Sequence, residues 1–169
     1  MASPGVGLSN TPQSLTNLVE QKLRAERVVK GGASWFLMVG ALSLINSVLS
    51  MSGSGIRFIF GLGIAQFVDS FAHQAGQRAI IPNLIINACV AGVFVLFWNF
   101  ARKGEQWAFV VGMGLYAVDA LLTLGFRDIL AVAFHAYALF RIYRGFSAVQ
   151  SLKNFEAQLQ PAGAPIQPR

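Results

Sequence analysis

The chain has 169 residues, 54% hydrophobic and only 12% charged, with a formal net charge of +6 and a mean hydropathy of +0.55. A soluble domain carries about 25% charged residues, so the composition excludes an ordinary soluble globule. The high apolar content excludes intrinsic disorder as well.

The basic excess is concentrated toward the ends. Lys22, Arg24, Arg27 and Lys30 precede the first apolar run, and Arg141, Arg144, Lys153 and Arg169 close the chain. Between Gly31 and Phe140 the charges are Arg57, Arg78, Arg102, Lys103, Arg127, Asp69, Glu105, Asp119 and Asp128. Cationic flanks on an apolar body suit a lipid bilayer and anionic headgroups at the basic ends better than nucleic acid.

In chain order, residues 1–13 are rich in Pro, Gly, Ser and Asn and read as a disordered N-terminus. They lack the basic, apolar and small-residue regions of a signal peptide, so no cleavage is expected. Residues 14–30 read as an amphipathic helix, with Leu15, Leu18, Val19, Leu23, Ala25 and Val29 on one face, and Gly31-Gly32 is expected to break it. Residues 31–145 read as a transmembrane helical domain of five apolar runs: Ala33 to Met51, Ile56 to Ala75, Ile80 to Ala101, Trp107 to Leu124 and Arg127 to Tyr143. Each approaches the ~20 residues that cross a hydrocarbon core. Beyond Gly145, residues 146–160 read as an amphipathic C-terminal helix and 161–169 as a disordered, Pro-rich tail.

The predicted fold is therefore an all-α polytopic bundle of five apolar helices, four or five of them crossing fully. Short Gly-containing junctions make consecutive helices antiparallel. Trp35, Trp98 and Trp107 fall near segment ends, where indole rings settle at the interface. With five crossings the basic residues divide evenly and the positive-inside rule cannot orient the chain. With the second run not crossing, both termini share one side that holds most of the basic charge. A short repeat, Gly61-Leu-Gly63 before Asp69 and Gly112-Met-Gly114 before Asp119, is compatible with tandem hairpins.

The polar residues inside the apolar body are the candidate site. Gln66, Asp69, Ser70, His73, Gln74 and Gln77 form one stripe on the second run, where Asp69 and His73 can pair, and Ser43, Asn46, Ser47 and Ser50 form a smaller stripe on the first. Counted from the helix ends, Asp69, Asn87, Asp119 and His135 lie roughly 9 to 12 Å from the same end of the bundle. Asp69, His73, Asn87, Asp119 and His135 are thus the candidate intramembrane polar or ion relay, because ionisable groups in hydrocarbon are functional by default. The competing reading, an interhelical clamp that fixes packing and register, is favoured for a small chain with no other transport signature.

Other chemistry finds little support. His73 lies about 4 Å and His135 about 12 Å from their helix ends, too mismatched in depth for haem ligation, and no cofactor is expected. No Cys/His spacing suits zinc, and Cys89 reads as a small core hydrophobe. Gly112-x-Gly114-x-x-Ala117 matches a dinucleotide pattern formally but lacks a preceding strand, so close helix packing explains it better. No catalytic motif stands out, and an enzyme is not expected.

Finally, Lys30-Gly-Gly-Ala-Ser-Trp-Phe36, Ala41-Leu-Ser-Leu-Ile-Asn-Ser-Val48, Trp107-Ala-Phe-Val-Val-Gly-Met-Gly-Leu-Tyr-Ala-Val-Asp119 and Phe134-His-Ala-Tyr-Ala-Leu-Phe140 resemble stretches of small, uncharacterised bacterial multi-span inner-membrane proteins. The resemblance covers roughly residues 27 to 147. It implies layout and a bacterial inner membrane, and it transfers no functional residue. The expected role is structural or accessory, with a membrane-protein partner or homo-oligomer; the alternative is a proton- or cation-coupled carrier or channel.

Overall fold

The computed structural model describes residues 12–51, 80–125 and 128–159. These residues form four helices: α1, Pro12–Met51; α2, Ile80–Ala101; α3, Gln106–Gly125; and α4, Ile129–Leu159. α1, α2 and α3 are long and apolar enough to cross a membrane. The second apolar run, with Asp69 and His73, lies outside the described residues, as do both chain ends.

Two expected boundaries are overturned. No separate amphipathic helix ends at Gly31-Gly32, because α1 continues through both glycines for 40 residues. Likewise α4 runs 31 residues through Gly145, joining the fifth apolar run to the stretch beyond it. Five separate apolar helices are therefore not matched: the described residues hold four, two of which are fusions of expected elements.

A helix-interior glycine costs only about 1 kcal/mol, which tertiary contact can offset. Here the contact is the crossing of α1 over α4. A Cβ built on Gly32 would lie 2.5 Å from the Gly145 Cα, and one on Gly145 would lie 2.7 Å from the Gly32 Cα. Neither residue can carry a side chain without moving the helices apart. This is close backbone approach through small residues, as in membrane helix pairs.

The chain direction alternates from helix to helix. Lys30 and Val29 share a cleft with Arg102 and Lys103, while Gly40 abuts Ala91 and Phe94, so α1 and α2 are antiparallel. The α2–α3 turn is closed by a glycine cap: Gly104 has φ +83°, its N–H donates to Ala101 O (2.9 Å), and Glu105 N–H donates to Phe100 O (3.3 Å). Gln106 Nε2 reaches Gln150 Oε1 at 3.4 Å, which sets α3 antiparallel to α4. At the other end Asp128 caps α4, its Oδ1 accepting from Ala131 N–H at 3.0 Å. Met51 and Ile80 consequently lie at the same end of the bundle, opposite the α2–α3 turn.

Phe36 sits at the centre, within 5.9 to 6.3 Å of Phe94, Phe97 and Phe109 by ring centroid. Gly112 makes room for it, since a Cβ there would meet the Phe36 ring at 2.6 Å. The Gly112 motif is thus a packing device inside α3. Large apolar residues such as Met38, Val48, Ile85, Leu96, Leu121 and Phe140 remain exposed around the outside, as a lipid-facing surface requires. Cys89 is exposed too, which corrects its assignment to the core.

The glycines give a stability test. Gly32→Ala should lower stability by about 1–3 kcal/mol through overpacking at the crossing. Gly31→Ala has open space around its Cβ and should raise stability by up to about 1 kcal/mol. Thermal unfolding of the two variants in detergent, with the same sign for both, would show that the crossing is not tight.

Candidate functional site

Around the Phe36 cluster the helix interiors are apolar, but on its far side from the α2–α3 turn the buried residues become polar. Ser43, Asn46 and Ser47 of α1, Asn87 of α2, Asp119 and Thr123 of α3, and His135 of α4 are all buried. At 1.5 Å per residue from the level of the turn, Asn46, Asn87, Asp119 and His135 lie between about 20 and 24 Å along their helices. A hydrocarbon core is about 30 Å thick, so this layer belongs to its interior.

Asp119 and His135 meet directly. His135 Nε2 lies 2.9 Å from Asp119 Oδ2, with His135 1% and Asp119 5% exposed. The other ring nitrogen, Nδ1, lies 2.8 Å from the carbonyl of Ala131, one turn back on α4. A carbonyl only accepts, so Nδ1 carries a proton. Nε2 facing a carboxyl oxygen then needs one further proton between them. That proton makes either an imidazolium with a carboxylate or a neutral imidazole with a carboxylic acid. Both arrangements have zero net charge, which minimises the cost of burying the pair.

Tyr116, one turn before Asp119 on α3, covers the imidazole. Its ring stacks on His135 with centroids 4.7 Å apart and planes 16° from parallel, and it meets Phe94 edge-on at 6.1 Å. The buried Tyr116 hydroxyl has no hydrogen-bond partner among the described residues, nor do Ser43 Oγ and Ser47 Oγ. Thr123 Oγ1 donates to Asp119 O at 3.0 Å, satisfying itself within the helix. An apolar groove of about 230 Å³ between α2 and α3, lined by Val90, Val93, Phe94, Leu115, Val118 and Leu122, reaches Asp119.

Of the five candidate relay residues, Asp119 and His135 are brought into contact and Asn87 is buried in the helix interior at similar depth. Asp69 and His73 lie outside the described residues. Tyr116 and Thr123 were not anticipated. Tyr116 was findable by its i, i+3 spacing to Asp119, which places both on one helix face. Among the described residues no group of three His, Cys, Asp or Glu side chains could hold a metal ion.

The chain matches no protein-family model, and no curated protein or solved structure proved similar to it.

A double-mutant cycle on Asp119→Ala and His135→Ala should return a coupling of about 1 kcal/mol, within the range for polar contacts between membrane helices. A coupling of zero would deny the contact. Tyr116→Phe removes a buried hydroxyl that has no partner among the described residues, and should leave stability unchanged or raise it by about 1 kcal/mol. A clear loss of stability would mean that the hydroxyl has a partner.

Proposed function

We propose that the chain is a small polytopic protein of a bacterial inner membrane with a structural or accessory role, in which Asp119 and His135 clamp α3 to α4. The observation that carries this reading is the electroneutral, buried pair. Each group uses the other to satisfy its polarity in hydrocarbon, and Ala131 takes the remaining imidazole proton. A buried pair that joins two helices in this way fixes helix register and leaves a packed surface for a partner. On this reading the chain is not an enzyme, and its contacts are lipid and a membrane-protein partner or a second copy.

Charge supports an orientation. Lys22, Arg24, Arg27, Lys30, Arg102, Lys103, Arg141, Arg144 and Lys153 are all the basic residues among those described, and all lie on the turn side of the polar layer. By the positive-inside rule that side is cytoplasmic. Reporter fusions after residue 159 and within the 102–105 turn should both report the cytoplasm. Opposite locations would reject the arrangement.

The second reading, a proton- or cation-coupled carrier or channel, is favoured by one feature: a proton shared between two helices beside a buried Tyr116 hydroxyl that has no partner among the described residues. Liposome flux separates the two. The clamp reading expects no proton or cation flux above empty liposomes, and co-purification of a partner or a second copy. Flux abolished by Asp119→Asn in a monomeric, folded protein would replace the clamp with the carrier.

A further inference from the structure

Outside the polar layer, the most unusual concentration of chemistry lies where α1 and α4 cross. A cleft of about 660 Å³ opens there, lined by Glu20, Arg24, Arg27, Gly31, Arg141 and Arg144 together with Leu23, Val28, Gln21 and Gly32. The four arginines come as two pairs at i, i+3 spacing, one on each helix, so each pair projects from one helix face. The Gly32–Gly145 contact forces the two helices together beside them. Like charges are thereby gathered rather than spread.

The carboxylates nearby do not neutralise them. Among the described residues Glu26 pairs with Lys22 and Lys30, and Glu156 with Lys22. No ion pair among the described residues involves Arg24, Arg27, Arg141 or Arg144. Even counting Glu20 at the cleft wall, four guanidinium groups against one carboxylate leave an excess of three positive charges. Guanidinium is the side chain best suited to fork onto phosphate oxygens, and it tolerates partial desolvation better than an ammonium.

Location narrows the anion. The Arg141 guanidinium lies 5.7 Å over the Trp35 ring, and Trp35 meets Tyr137 edge-on at 5.2 Å. Trp35 lies five residues from Lys30, which shares a cleft with Arg102 and Lys103, so it stands about 8 Å from the level of the α2–α3 turn and the cleft opens near the height of lipid headgroups.

We infer that the Arg24, Arg27, Arg141 and Arg144 cleft is a binding site for the phosphate headgroup of an anionic phospholipid. The site rests on the membrane reading of the fold but not on the role of the Asp119–His135 pair. A lipid held there bridges α1 to α4 at the crossing, where a diffuse cationic surface would bridge nothing.

The test uses the full chain in detergent micelles, titrated with phosphatidylglycerol, phosphatidylcholine or soluble glycerol phosphate and read by native mass spectrometry. The expected result is a one-to-one phosphatidylglycerol adduct at concentrations at least tenfold below those for phosphatidylcholine. Arg24→Gln/Arg27→Gln and Arg141→Gln/Arg144→Gln should each weaken it tenfold or more, with helical content by circular dichroism unchanged. Lys103→Gln/Lys153→Gln removes the same charge outside the cleft and should stay within twofold of the parent. Equal loss in the lysine variant would show diffuse charge and overturn the site. Equal binding of the two lipids would overturn it too. Glycerol phosphate binding as tightly as phosphatidylglycerol would assign the cleft to a soluble phosphate ester and reject the lipid. Should either arginine pair prove essential for folding, protection of the parent arginines from phenylglyoxal by phosphatidylglycerol, but not by phosphatidylcholine, decides the matter: equal reactivity with both lipids rejects the site.

Discussion

The crossing of α1 and α4 at Gly32 and Gly145 is the contact on which the rest of the molecule depends. Helices pack 8–10 Å apart when side chains separate them, and two facing glycines allow the low end of that range or less. Once α1 and α4 touch there, Phe109 of α3 closes over Gly145, because a Cβ on that glycine would stand only 3.1 Å from its ring. Phe36, one turn beyond Gly32, then lands among Phe94, Phe97 and Phe109. The continuity of both long helices through their glycines follows from the same contact. A break at either residue would forfeit the close approach that offsets the glycine's low helix propensity.

From this crossing the bundle changes character in both directions. Toward the chain ends, α1 and α4 continue past the α2–α3 turn and carry charge, with Lys22 bridging Glu26 and Glu156 at 3.8 Å. Such partly exposed pairs contribute little, on the order of 1 kcal/mol each at most. Inward, past the aromatic cluster, the buried residues turn polar. The structure resolves that conflict locally: a backbone carbonyl takes one imidazole proton, a carboxyl group faces the other nitrogen, and a tyrosine ring roofs the imidazole. The arrangement is costly to break on one side only, since removing either partner leaves a buried polar group exposed to hydrocarbon.

How much of this was legible before folding differs from residue to residue. Asp119 and His135 could be placed at a common depth by counting from their helix ends, because rise per residue is fixed within an uninterrupted helix. Asp128 stood among the internal charges, yet it is a cap at the start of α4, where an unpaired N–H and not hydrocarbon is its neighbour. Gly31-Gly32 and Gly145 were read as stops because local propensity was the only signal, and the tertiary contact that overrides propensity lies 113 residues away in sequence, between positions 32 and 145. The same blindness hid the arginine cleft. Its two halves are ordinary i, i+3 pairs until the glycines bring them onto one site.

The even division of basic charge expected for five crossings and the one-sided distribution seen here differ only in how the second apolar run is counted. Met51 and Ile80 flank the segment containing that run, and they stand at the same end because α1 and α2 are antiparallel. With those two anchors fixed, Arg102 and Lys103 fall on the side of Lys22, Arg24, Arg27 and Lys30, and so do Arg141, Arg144 and Lys153. Among the described residues charge is thus segregated along the bundle axis: the basic residues on one side of the polar layer and a net-neutral pair within it. This is the distribution a low-dielectric slab imposes, since a charge that cannot be neutralised by a neighbour is driven to the headgroups, where phosphate can do so. The scarcity of charge and its placement are therefore one constraint, and the arginine cleft is where that constraint leaves uncompensated charge lining one cleft.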